Sequence, residues 1–226
     1  MIPLVSPGRE YWLGTDISGH SMMQSLTSAI GTEIVTLVLS TIFVLLSGLV
    51  LGSAIAITRM HVIRTLAMTC LAFWVTLPTL LVSLLLLIHF GAGQETVVAV
   101  IIFVLTPTQA LYVATRIAAN EGERFVQAKR SFGFSHATIL RRHLVPFVFY
   151  DYIRYTLSRV PEILMTDLAL NFFGLGAQPP QPSLGRLLFD GMGFLYAAWW
   201  TWVPVVFAVS FLFLIVDGIA SRISED

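Results

Sequence analysis

The sequence predicts an all-α integral membrane protein with five transmembrane helices. Its 226 residues are 56% hydrophobic and only 12% charged, about half the charged share usual in soluble domains, and the mean hydropathy is +0.82. A soluble fold with so few charges could not cover its own surface. Four apolar runs approach or exceed the roughly 20 residues a helix needs to cross a bilayer core. The balance of 13 basic and 13 acidic residues excludes a strongly basic nucleic-acid binder. The one cysteine, Cys70, has no partner for an internal disulfide.

Residues 1–23 are too polar for a signal peptide, and 1–33 read as an extracytoplasmic amino-terminal segment. The first span, 34–57, contains no charge. The second, 65–90, holds only His89 near its end, with Pro78 inside. The third, 96–115, carries Pro107. The last, 197–216, opens on Trp199, Trp200 and Trp202, as expected where a helix meets the membrane interface. Prolines inside such helices are tolerated where neighbouring helices satisfy the freed backbone groups.

The segment 145–170 is a different kind of span. It holds Asp151, Arg154, Arg159, Glu162 and Asp167, with Pro161 in the middle. Each central charge costs about 2.5–3.5 kcal/mol on insertion, and each large apolar residue returns only about 0.3–0.6 kcal/mol. This segment cannot sit in lipid alone. On a continuous helix Asp151, Arg154, Arg159 and Glu162 share an arc of about 140° and Asp167 falls outside it. Two readings stay open: the four line a polar passage, or they neutralise one another as i,i+3 pairs.

Orientation follows from the basic residues. Nine of the 13 lie in alternate connections: Arg59 and Arg64, then Arg116, Arg124, Lys129, Arg130, Arg141 and Arg142, then Arg222. The positive-inside rule places those segments in the cytoplasm, with the amino terminus outside and the carboxyl terminus inside. The long cytoplasmic connection, 116–145, is patterned rather than merely charged. Residues 125–133 read as a short helix stopped by Gly133, which tolerates the left-handed conformation of a helix end. A second helical stretch over 136–143 leads to Pro146. Phe125, Phe132 and Phe134 on this arginine-rimmed elbow suit a docking surface. An interfacial amphipathic loop is the alternative.

The elbow resembles the "EAA" signature of permease subunits of bacterial ATP-binding-cassette (ABC) importers: Glu-Ala-Ala, three residues, Gly, then a Pro thirteen residues later. The matching positions are Gln127, Ala128 and Lys129, then Gly133, then Pro146. Gln127 replaces the acidic residue and Lys129 the second alanine. Phe173 to Gly185, with Pro179, Pro180 and Pro182, is similar to the extracytoplasmic loop of the "C"-type permeases of oligopeptide, dipeptide and nickel importers, with Leu184 in place of their usual Trp. Leu13-Gly14-Thr15-Asp16-Ile17-Ser18-Gly19-His20-Ser21 resembles their Leu-Gly-Thr-Asp-x-x-Gly-Arg-Asp motif. Leu77-Pro78-Thr79-Leu80-Leu81 resembles a Phe-Pro-Ser-Leu-Leu run. The pieces stand in family order from Tyr11 to the end of the chain. That family has a further span before the Leu-Gly-Thr-Asp motif, and only ten residues precede Tyr11 here; either the five-span core suffices or the start lies upstream.

The resemblance implies a type I ABC importer permease core whose elbow is the coupling helix. Phe125, Gln127, Ala128, Lys129, Phe132, Gly133, His136 and Pro146 would then meet a cytoplasmic ATPase. It implies a bacterial inner-membrane location, a second homologous permease, two ATPase subunits and an extracytoplasmic substrate-binding protein. The cargo would be a peptide or related small ligand, nickel or a metal chelate. Asp151, Arg154, Arg159 and Glu162 are the candidate lining of the pathway. ATP and Mg would be held by the ATPases, with no cofactor in this chain.

Other chemistries fit less well. A phosphate-cradling Gly-x-x-x-x-Gly-Lys-Ser/Thr loop is missing, since the only lysine, Lys129, follows Ala128. His20, His61 and His89 are scattered over different segments, and His136 and His143, seven apart in the elbow, read as surface contacts, so closely spaced metal ligands are missing. Tyr150-Asp151 with Gly174-Leu175-Gly176 is the outline of an intramembrane aspartyl protease. Ala177 stands where the second aspartate of that proton-sharing pair belongs. An ion-coupled transporter or a channel subunit is the main alternative, and it gives no reason for an ordered cytoplasmic elbow. The expected chain is a transport subunit and not an enzyme.

Overall fold

The computed structural model describes residues 3–58, 60–121 and 124–225, without the side chains of residues 124, 125, 130, 136, 137, 224 and 225. Apolar and small residues recur every three or four positions from Met22 to Ala56, and this stripe is buried throughout. It makes one helix, α1, over Met22–Ile57. Its 36 residues rise about 54 Å, well beyond a hydrocarbon core of about 30 Å. The helix therefore starts inside what the sequence marks as the polar segment 1–33.

The expected second span is broken. Helix α2 covers His61–Val75 and α3 covers Thr79–Phe90, with a 90° bend between them. Pro78 has no N–H for the Trp74 carbonyl and pushes Leu77 out of helical geometry, so the chain turns here. Helix α4, Gln94–Asn120, contains Pro107 and continues through it. Beside that proline the Trp74 indole donates to the Val104 carbonyl at 3.1 Å.

Beyond α4 come α5 (Arg124–Ser131), α6 (His136–Ile139) and a π-helical turn over Leu140–Leu144 that runs into α7 (Val145–Ser158). Helix α8 follows at Val160–Phe172. Segment 145–170 is thus two helices of 14 and 13 residues. They part at Arg159 because Pro161 cannot continue the α7 hydrogen-bond ladder. Helix α9 occupies Leu184–Met192, inside the stretch 171–196 marked as a loop; residues 173–183 before it and 193–196 after it are non-helical. A 3₁₀ turn over Trp199–Thr201 leads to α10, Val203–Glu225.

Among the described residues three helical segments are long and apolar enough to cross a membrane: Met22–Ile57, Gln94–Asn120 and Trp199–Ile223. The bent pair α2–α3 makes a fourth if it counts as one span. The expectation of five is met only to that extent.

Helices α1 and α4 pack most closely. A Cβ on Gly52 would stand 2.6 Å from the Ala110 carbonyl oxygen and 2.7 Å from Val113 Cβ, so glycine lets the two backbones approach. Polar bonds cross the same bundle. Ser47 and Thr106 hydroxyls meet at 2.6 Å, Tyr152 O–H donates to the Leu45 carbonyl at 2.9 Å, and Thr156 donates to Gln109 Oε1 at 3.1 Å. Two apolar cores result. One gathers α1, α3, α4, α8, α9 and α10 toward the Met22 end. The other joins the end of α1, the end of α4, α5, α6 and α7.

Candidate functional site: an elbow joined to a polar cleft

The elbow is built as a capped helix turned back on the bundle. Phe134 N–H donates to the Lys129 carbonyl at 3.2 Å, and Phe132 N–H to that of Ala128 at 3.1 Å. Gly133 has φ +80°, and this closes α5 in the manner of a glycine C-cap. Val126 faces inward and is fully buried with Ile139, Leu140, Leu144, Val113, Ile117 and Tyr152. Gln127, Ala128, Phe132, Gly133 and Phe134 face outward, Phe132 with 80% of its surface exposed. The Lys129 ammonium lies over the Phe134 ring at 5.7 Å, and that ring meets His143 edge-on. Pro146 lies in the first turn of α7, directly after the π-helical turn over Leu140–Leu144. The side chains of Phe125 and His136 lie outside the described ones. Nearby, Arg64 pairs with Glu121 at 2.8 Å and braces the start of α2 against the end of α4.

The elbow's core ends on Tyr152, and α7 presents the neighbouring residues to an open cleft. This cleft, of about 350 Å³, is lined by Tyr112, Arg116, Asp151, Arg154, Tyr155 and Ser158. Tyr112 and Tyr155 stack at 3.9 Å. The Arg116 guanidinium lies over Tyr112 at 5.3 Å and that of Arg154 over Tyr150 at 4.8 Å. Among the described ion pairs Asp151 and Arg154 have no place, whereas Arg159 and Glu162 bind each other at 3.0 Å. The break at Arg159 is the reason. The common arc expected of a continuous helix divides into an open half on α7 and a self-neutralised half at the start of α8.

A second concavity, about 380 Å³, lies at the Met22 end between Asp16–Ser28, the Pro179–Pro182 loop and α9. Its walls rest on local chemistry. Asp16 Oδ1 accepts from the N–H groups of Ser18 and His20, both at 2.9 Å, and Oδ2 from the Ser25 hydroxyl at 3.1 Å. Gly14, at φ +72°, lies directly against the Trp200 ring. Burial pushes the Asp190 carboxyl up while Arg186, at 3.1 Å, acts against that rise.

Sequence reading missed Tyr112, Arg116 and Tyr155. Arg116 and Tyr112 stand four apart on one face of α4, a spacing that could have marked them. It also placed Glu33 outside the spans, although Glu33 continues the buried stripe of α1.

Long apolar helices, a folded elbow and a polar cleft together describe an all-α membrane protein. The chain belongs to the family described as "Binding-protein-dependent transport system inner membrane component", whose model matches residues 48–225. Relatives include the glutathione transport system permease protein GsiD of Pectobacterium atrosepticum, 26% identical over 80% of this chain and 60% of that one. The dipeptide transport system permease protein DppC of Alkalihalophilus pseudofirmus is 24% identical over 95% and 69%. The chain thus spans about 60% of the length of the glutathione relative. Among solved structures, an inward-facing form of the MetNI methionine ABC transporter superposes with TM-score 0.67 at 16% identity, covering 90% of this chain and 96% of that one. An amino acid ABC transporter solved with histidines gives TM-score 0.61 at 19% identity, over 91% and 96%. These two likenesses establish the fold.

Proposed function

We propose that this chain is a "C"-type permease subunit of an ATP-driven importer of peptides or similar small ligands. It forms half of the pathway with a second permease, and receives cargo from an extracytoplasmic binding protein. Its elbow sits in a groove of a cytoplasmic ATPase. On this reading the core crosses the membrane five times, α7 and α8 together forming the span that lipid alone would not accept, with the amino terminus outside and the carboxyl terminus in the cytoplasm. The observation that carries the proposal is the shared core of elbow and cleft: Val126 on α5 and Tyr152 on α7 are buried in one cluster, so a pull on α5 moves the helix bearing Asp151 and Arg154. Movement of such a packed unit switches access to the cleft as a rigid body.

Charges of both signs in the cleft suit a zwitterionic, peptide-like cargo. Arg116 and Arg154 are the candidate partners of its carboxylates and Asp151 of its amine. Arg159 and Glu162 contribute less, because each already holds the other. Reconstitution with the ATPases, partner permease and binding protein tests this. Arg116→Ala with Arg154→Ala should abolish uptake of a dipeptide-class cargo while leaving basal ATP hydrolysis, whereas Glu162→Gln should leave uptake largely intact. Uptake driven by an ion gradient in the absence of the ATPases would refute the proposal.

A further inference from the structure

Neither the elbow nor the cleft uses a polar knot that lies between α1, α4 and α8. Glu33 on α1 is 1% exposed and Asp167 on α8 is 2% exposed, and the two carboxyls are in contact. Gln94 serves Asp167 from one side: its Nε2 donates to Asp167 Oδ1 at 3.2 Å and to Thr36 Oγ1 at 2.8 Å. Asn171 donates to the Asp167 backbone carbonyl at 3.0 Å and accepts the Ala177 N–H at 2.8 Å. Both oxygens of Glu33, Oδ2 of Asp167 and Oε1 of Gln94 are buried without a donor among the described residues.

Among the described residues neither carboxyl has an ion-pair partner. Charges on the elements packed around the knot are directed elsewhere. Arg186 holds Asp190 on α9, Arg159 holds Glu162 on α8, and Glu95 on α4, His89 on α3, Asp151 on α7 and Asp217 on α10 are exposed.

Two facing carboxylates in a dry interior cannot both be ionised. One shared proton removes the clash between the two negative charges. Placed on Glu33, it lets the new O–H donate to Asp167 Oδ2, while Asp167, already served by Gln94, carries the charge. A metal ion would need more oxygen ligands than two carboxylates. Among the described residues no third His, Cys, Asp or Glu joins the two as a metal ligand, and Gln94 turns its NH₂ toward Asp167. We propose that Glu33 and Asp167 form a buried proton-binding site that holds one shared proton and ties α1 to α8 just before the chain enters the Gly174–Ser183 loop. Any state that admits water between α1 and α8 releases the proton, and the two bare carboxylates then push the helices apart.

The test uses the full protein in lipid nanodiscs with its co-purifying subunits. Infrared spectra at neutral pH should show a protonated-carboxyl band. Glu33→Gln should lose it. Asp167→Asn should keep the band but shift it, because the acceptor of the O–H has changed. The wild-type unfolding midpoint should fall as pH rises, and Glu33→Gln, whose amide still donates to Asp167, should flatten that dependence. Should Glu33→Gln fail to fold, the band and its shift in Asp167→Asn carry the test. Absence of the band, an unshifted band in Asp167→Asn, or a Glu33→Gln profile parallel to wild type would overturn the proposal. So would rescue of the high-pH midpoint by sodium or calcium, which would make the site one for a metal ion.

Discussion

Replacing Gly133 separates the elbow's backbone geometry from its side-chain contacts. Its φ is +80° and a Cβ there would meet nothing within 4 Å, so the penalty of a side chain is purely conformational. A left-handed residue other than glycine or asparagine costs about 1–2 kcal/mol, and a β-branched one lies at the upper end or beyond. That is a factor of about 5–30 in the population of the closed elbow. Gly133→Val should therefore leave the subunit assembled but reduce transported cargo per ATP hydrolysed by about that factor. Gly133→Asn, which tolerates positive φ, should retain most of the coupling. Proteoliposomes containing the whole assembly, with uptake and hydrolysis measured together, give the ratio. Intact coupling in Gly133→Val would refute the reasoning. Equal damage from Asn and Val would show that the side chain meets the ATPase surface, and that φ is not the constraint.

Three further expectations follow from the packing. Gly52→Leu forces a side chain into Ala110 and Val113 and should destabilise the chain by about 1–3 kcal/mol or more, read as a lowered unfolding midpoint in nanodiscs; Gly218→Ala, in open space, should not. A double-mutant cycle on Arg64 and Glu121 should give a coupling of about 1–2 kcal/mol. The raised proton affinity of Asp190 means that its contribution to stability is full below the ordinary carboxylate range and is lost as pH rises through the raised value. Amide exchange in α9 should accelerate over that window, and Asp190→Asn should remove the dependence.

The apolar runs, the glycine stop and Pro146 were legible because each acts through its immediate neighbours in sequence. Helix α5 ends as Gly133 dictates, and Pro78 marks a break, although its 90° bend goes further than a tolerated kink. The fate of the charges on 145–170 was not legible, since it depended on whether Pro161 interrupts the helix. Once α7 and α8 part, Arg159 finds Glu162 while Asp151 and Arg154 remain with Arg116, a residue far away in sequence. Glu33 illustrates the same limit. A lone acid before an apolar run looks like a polar flank until the buried stripe of α1 is seen to pass through it and meet Asp167. The Leu13–Asp16 motif shows the converse: its residues build a wall, Gly14 against Trp200 and Asp16 over the next turn, rather than any chemistry of their own.

The docking of the elbow can be measured by cross-linking. With Cys70, the chain's single cysteine, replaced by serine, a cysteine introduced by Ala128→Cys on the exposed face of α5 should cross-link to the ATPase subunit in the assembled transporter, and the yield should change with nucleotide. A Gln181→Cys control in the opposite loop should give no such product. If Ala128→Cys reacts only with lipid or solvent-borne reagents and never with the ATPase, α5 is not the coupling element and the transport account fails.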